Sequence, residues 1–182
     1  MNLPTHLGTS TAATAFTVTG TTTCTAIASG QLSLHGVNST STLASIGPTV
    51  TAQSLDSAAS STAAVGPDGS FEVTGLPIGE RFHIWASADG FLTSEITSIT
   101  LSSSSTQLAD VELKAGLVDG DGVVSIRDIS VVAASFGESV SNRTDDSNRI
   151  VDVNGDGDVD ILDISAVASN FGAVSPQAWP TQ

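Results

Sequence analysis

The sequence is short of positive charge: five Lys and Arg stand against 19 Asp and Glu in 182 residues, a formal net charge of −14. A chain this acidic does not hold nucleic acid or an anionic membrane through bulk electrostatics. Cysteine is almost absent. Cys24 stands alone, so no internal disulfide forms. It reads as a small core residue rather than a catalytic thiol, because no His lies at a motif-like spacing. Tyrosine is missing and aromatics make up 4%. No apolar run is long enough to span a membrane. The start, M-N-L-P-T-H, lacks the cationic segment and apolar run of a signal peptide, so an exported chain takes its signal from elsewhere or leaves by another route. His6, His35 and His83 are scattered. There is no phosphate loop, no Ser-His-Asp signature and no carboxylate pair set apart for acid–base work. The expectation is a chain that is not an enzyme and has no catalytic residues.

What fills the sequence is Ser, Thr, Ala, Gly and Val. Charged residues are 13% and hydrophobic residues 40%, the balance of a secreted, β-rich protein rather than a charge-rich disordered tail. Three segments follow. In residues 1–20, Phe16 and Val18 share one face of an extended stretch. This segment reads as a loose terminus or as an arm that adds a strand to a neighbour's sheet edge. Residues 21–115 carry short alternating runs separated by turns such as G-P-D-G at 66–69 and L-P-I-G at 76–79. Ile27, Leu32 and Leu34 open the pattern, 49–54 and Phe71/Val73 continue it, and 108–113 closes it. Phe82, Ile84 and Ala86 face one way, with Arg81, His83 and Trp85 opposite. Trp85 is expected under a loop or the next domain, or else at a contact surface. Turns at this spacing predict an antiparallel β-sandwich.

The third segment, 116–182, contains a duplication: V-D-G-D-G-V-V-S-I-R-D-I-S-V-V-A-A-S-F-G from Val118 and V-N-G-D-G-D-V-D-I-L-D-I-S-A-V-A-S-N-F-G from Val153. Each copy is a loop running into a helix. The second loop puts Asp152, Asn154, Asp156, Asp160 and Asp163 at positions 1, 3, 5, 9 and 12 of a calcium loop, with Gly157 at the sharp turn and the carbonyl of Asp158 as a further ligand. Five carboxylates within twelve residues repel one another without a cation, and an all-oxygen set suits Ca2+ better than zinc. The first loop offers Asp119, Asp121, the carbonyl of Val123, Ser125 and Asp128, but has Leu117 at position 1. A leucine cannot ligate, which makes this the weaker site. Ser125 and Asp160 are placed to cap their helices and Gly137 and Gly172 to end them. Ile126, Ile129, Val132, Ala133 and Phe136 form an apolar stripe, as do Ile161, Ile164, Val167, Ala168 and Phe171. Both are expected to be buried between two antiparallel helices, with a loop at each end.

Two resemblances follow from these residues. The run D-G-S-F-E-V-T-G-L-P-I-G-E-R-F-H-I-W-A-S-A-D-G-F resembles the carboxypeptidase regulatory-like and collagen-adhesin B-type sandwiches, over most of 25–113. That implies a spacer or stalk. Some of those modules carry a Lys–Asn isopeptide bond, but the only lysine here, Lys114, ends the last strand. The duplicated loop–helix resembles the dockerin module of cellulosomes, over about 116–180. The resemblance implies two calcium ions and docking onto a cohesin through helix faces. Dockerin partner choice depends on loop positions 10 and 11, here Ile126–Arg127 and Ile161–Leu162, so the two copies present different surfaces. The tail S-P-Q-A-W-P is similar to a dockerin ending, and Pro176 and Trp179 are expected to clasp the module near Leu113 and Leu117.

The fold expected is therefore mainly β: a sandwich over 21–115 followed by a small all-α dockerin-like domain over 116–182. The function expected is extracellular, calcium-dependent protein assembly, with possible roles in adhesion or carbohydrate-associated complexes. In the leading expectation the chain joins copies of itself into filaments by strand donation from 1–20. The alternative is docking onto a separate cohesin-like receptor, and a third reading is the non-catalytic tail of a secreted hydrolase. Asn38 and Asn142 begin N-glycosylation triplets.

Overall fold

In the computed structural model, residues 24–145 and 150–181 are described. The arm expected at 1–20 lies outside them. The chain order is β1 (Thr25–Leu34), α1 (Thr40–Ile46), β2 (Thr49–Ser54), β3 (Ser60–Ala64), β4 (Ser70–Pro77), β5 (Arg81–Ser87), β6 (Ser94–Thr100), β7 (Ser105–Gln107), β8 (Val111–Leu113), α2 (Ile126–Ala134), α3 (Ile161–Ser169) and β9 (Gln177–Ala178). One sheet runs β4-β1-β7, with β8 pairing farther along β1; the other runs β3-β2-β5-β6-β9. Period-two alternation decides what each strand buries. β1 turns Ala26, Ala28, Leu32 and Leu34 inward, and β5 turns Phe82, Ile84 and Ala86 inward against Val50 and Ala52 of β2. That face of β5 is the one expected from sequence.

Several expectations need correction. Cys24 is exposed, not in the core. It precedes β1, and its carbonyl accepts from the amide of Ile78 while its side chain lies outside the alternation. The closing strand expected at 108–113 is shorter, Val111–Leu113, and pairs parallel with β1. α1, β3, β6 and β7 are not among the expected elements. β3 reads S-S-T-A-A and buries no large apolar side chain, so its sequence carries no hydrophobic alternation. Trp85 is half-buried on the outer face of its sheet, between Thr51 and Glu95, with its ring 4.9 Å from that of His83.

The C-terminal third is α-helical only in part. α2 and α3 are nine residues each, and isolated β-bridges join Val123 to Val174 and Ser139 to Asp158. Each loop lies against the far end of the other helix. Val124 N–H donates to Ala173 and Gly172 N–H to Val124, while Gly137 N–H donates to Val159 and Val159 N–H to Glu138. Gly137 and Gly172 have φ of 87° and 82°, the left-handed conformation expected just after each helix. The apolar stripes face inward only in part: Val132 and Val167 are buried and Ile129 and Ile164 partly buried against the core, as expected, but the ends of each stripe are not. Ile126, Phe136, Ile161 and Phe171 are 57–64% exposed. The buried line runs Asp128–Val132 and Asp163–Val167 with Ala166, in one core cluster with Val118, Val124, Val153 and Val159 from the loops. The helices are short and the loop valines fill the core, so the helices rotate to put the position-12 carboxylates inside.

Sandwich and loop–helix pair share one interface. Gly116 and Leu117 amides donate to Gly90 O, Leu92 N–H donates to Lys114 O, and Asn170 Nδ2 donates to Ala115 O at 2.9 Å. The C-terminal tail continues it. β9 pairs parallel with Ser94 and Glu95 of β6, and Trp179 is buried, its Nε1 donating to Ala109 O at 2.8 Å and its ring meeting Phe71 edge-on at 6.1 Å. The tail does clasp, but its grip is on the sandwich rather than on Leu113 and Leu117.

Candidate metal-binding loops

The position-12 carboxylates tie each loop to its helix. Asp163 Oδ1 accepts from Val153 N–H (2.7 Å) and Asn154 N–H (3.1 Å), and its Oδ2 accepts from Asp160 N–H (2.9 Å). Asp128 repeats this with Val118 (2.9 Å), Asp119 (3.2 Å) and Ser125 (2.8 Å). Ser125 and Asp160 cap their helices, each within a reciprocal capping box. Both carboxylates are fully buried, and charge-assisted amide bonds make such burial tolerable.

Loop 2 is further ordered by Asp152. Its Oδ1 accepts from Gly155 N–H (2.6 Å) and its Oδ2 from Gly157 N–H (2.9 Å). Gly157 has φ 99°, which a residue with a Cβ would resist. Asn154 Oδ1 accepts from Asp156 N–H at 2.9 Å, and Asp156 Oδ1 from Asp158 N–H at 3.1 Å. Asp158 turns its own carboxylate to Ser139 Oγ at 2.6 Å. Burial pushes the Asp152 carboxyl up, against the lowering by the Gly157 and Gly155 amides; the nearby Asp163 and Asp156 charges push the same way as burial. A cation removes that cost.

Loop 1 lacks the position-1 carboxylate, yet Asp119, Asp121 and Asp128 bring one oxygen each within 4.8 Å of one another. The Asp119 side chain is 9% exposed, and its Oδ2 is buried with no hydrogen-bond partner. Arg127 Nε stands 3.4 Å from that oxygen, close enough for attraction but without hydrogen-bond geometry. An orphaned buried carboxylate oxygen at the centre of a three-acid cluster fits a hard, oxygen-ligated cation. Val123 sits where loop 2 has Asp158, and its side chain is exposed.

Arg143 is the middle residue of the triplet that begins at Asn142. It is a strut. Its Nε donates to Asp152 O (3.1 Å), Nη2 to Val153 O (3.2 Å), and its own carbonyl accepts from Val151 N–H (2.8 Å). Its guanidinium lies 5.9 Å from the centre of the Phe91 ring in the sandwich. A partly buried Arg contacting backbone carbonyls leaves no spacing signal to read. Asn38 and Asn142 are exposed.

Residues 116–172 match the dockerin type I domain. Calcium is the cation that dockerin type I domains bind, and the acids of the dockerin segment fit it. No curated relative matches the chain at a significant level. Two solved structures are similar: an N-terminal and a C-terminal interface mutant of a type II cohesin–X-dockerin complex from Acetivibrio cellulolyticus. Each matches at a TM-score of 0.66 and 23% identity, covering 82% of this chain and 97% of that one. A share of that size exceeds either part alone, so the common fold takes in the sandwich and the dockerin segment together. The likeness of the sandwich to carboxypeptidase regulatory-like and collagen-adhesin modules is a reading of its residues alone.

Proposed function

We propose that this chain is an extracellular, non-catalytic docking piece that presents a calcium-loaded dockerin surface to a cohesin-like receptor. The observation that carries the reading is the exposed apolar side chains at and just beyond the ends of α2 and α3. Ile126, Ile161 and Leu162 open the two helices and Phe136 and Phe171 lie just past their ends; all five are more than half exposed, beside loops filled with acids. Apolar side chains gathered outward in this way mark a contact surface. Calcium at Asp152, Asn154, Asp156, the carbonyl of Asp158, Asp160 and Asp163, and at Asp119, Asp121, the carbonyl of Val123, Ser125 and Asp128, sets the angle of the two helices. The face is then preorganised for its partner. The tail and Arg143 fix this surface to the sandwich, which acts as a spacer.

Docking takes precedence over the leading sequence expectation, self-assembly into filaments. The dockerin match and the exposed apolar helix ends support docking, while the proposed donor strand lies outside the described residues. The test is titration of type I and type II cohesins with the full chain, in calcium and in chelator. Calcium-dependent binding that falls about a hundredfold or more in an Ile161→Asp, Leu162→Asp double variant, as loss of a hot spot does, supports the reading. Failure of every cohesin to bind in calcium overturns it.

A further inference from the structure

The sandwich has an open side. β6 is the outermost long strand of its sheet, and β9 covers only Ser94 and Glu95 of it. Among the described residues, no strand pairs with the outer edge from 96 to 100. Across the gap, β7 is the edge strand of the other sheet. Between the two edges lies a cleft of about 510 Å³. Its apolar lining includes Ile96, Ile99, Leu108 and Trp179, and Ile96 and Ile99 are only partly buried against the core. A strand edge above an apolar floor is a template for an added strand: the backbone supplies the hydrogen bonds, and alternate side chains fill the floor. Sandwiches otherwise close or blunt such an edge. Here the tail does so over the first two residues and then leaves the strand at Trp179.

The same chain carries a segment of matching length and pattern. In A-F-T-V-T, residues 15–19, Phe16 and Val18 stand two apart in the sequence, the spacing that puts both on one face when a segment pairs as a strand. We propose that the seam between β6 and β7 accepts residues 15–19 of a second copy of this chain as an added strand, with Phe16 and Val18 seated over Ile96, Ile99 and Leu108. Eight residues, 17–24, lie between Phe16 and Thr25, the first residue of β1, and allow a span of up to about 30 Å, enough to reach a neighbouring copy. No Asn-Gly, Asp-Gly or Pro-Gly turn lies between them to fold the segment back. One copy's arm in the next copy's seam is a head-to-tail contact, which forms open chains unless the rotation closes a ring. The seam and the exposed helix ends are different surfaces, so strand acceptance stands independently of cohesin docking.

Cross-linking in the full-length protein tests it. Two variants, both with Cys24→Ser, are mixed in calcium and mildly oxidised; one carries Val18→Cys and the other Ile99→Cys. A covalent adduct of two chains is expected. No adduct is expected when Thr62→Cys, on the opposite edge strand β3, replaces Ile99→Cys. With Val18→Cys and Ile99→Cys in one chain, a purely intramolecular bond assigns the segment to its own sandwich and overturns the second copy. No adduct of either kind overturns the seam. Light scattering supplies a measurement free of cysteine substitution. The unmodified protein is expected to exceed the mass of one chain, and removal of residues 1–20 to return it to that mass. A full-length chain that is already monomeric under the same conditions overturns the proposal.

Discussion

The two loop–helix copies keep one phase but differ in chemistry. The bridge at one end joins Val123 to Val174, and at the other end Ser139 to Asp158. These pairs occupy equivalent places in the duplication, so the first end of the unit is apolar and the second is polar and acidic. At position 1, Leu117 donates its amide to the sandwich, while Asp152 gathers the amides of its own loop. At position 11, Arg127 approaches the metal acids of loop 1, while Leu162 stands outward. A duplication therefore conserves what closes the loop, the position-12 Asp and its three amides, and varies what meets a neighbour. In loop 1 that neighbour is the sandwich. In loop 2, Arg143 makes the link instead.

The largest effect should come from breaking what the copies share. Asp163→Ala leaves three amides without their acceptor, two of them at the buried start of the loop, and should cost about 3 kcal/mol or more. Thermal unfolding followed by helix signal should show this with calcium or with chelator, and Asp128→Ala should behave alike. If either variant melts like the unmodified chain, the carboxylates do not hold the loops. Next is the clasp, which leads from the second copy back past loop 1 to the sandwich. Trp179→Ala should cost about 3 kcal/mol, as large-to-small core changes do, and should let the two parts melt separately in calorimetry. A single unchanged transition would assign the coupling to Arg143 and Asn170 alone.

Exchanging position 1 sharpens the comparison itself. Asp152→Leu should weaken calcium binding at loop 2 by roughly tenfold or more, since affinity follows ligand charge; Leu117→Asp should strengthen loop 1. Calorimetric titration resolves both, and the equal affinity of the two loops in unmodified protein would refute their inequality. The smallest effect lies away from both loops and serves as a reference. The Arg81 guanidinium beside Asp56, 2.6 Å away, together with the Arg81 amide, holds the Asp56 carboxyl below its usual range. The folded value is below the unfolded one, so the stabilisation is present above the ordinary carboxylate range and fades as pH falls through the lowered value. The pair is exposed, so its loss should move sandwich melting only slightly, and Asp56→Asn should abolish that slight acid dependence.

Where the sequence was legible, the constraint was local. Asp152 to Asp163 could be read because a loop around one centre fixes its spacing, and Ser125 and Asp160 because a cap bonds two and three residues ahead. The inward set Phe82, Ile84 and Ala86 follows from a period of two. The helix stripes were legible in their middle, at Val132 and Val167, but not at their ends, because Ile126 and Phe136 obey a helical period as well as Val132 does, and periodicity does not say how far round the buried side extends. β3, with only Ser, Thr and Ala, had no pattern to find.

The residues alone determined that two acid-rich turns would each lead into a short capped helix, since each such unit is specified within a dozen positions. Only the packed chain decided which helix faces meet solvent, where Trp179 is seated and what Arg143 supports. Those contacts join groups tens of residues apart, and their partners exist only once the sandwich and the paired helices have come together.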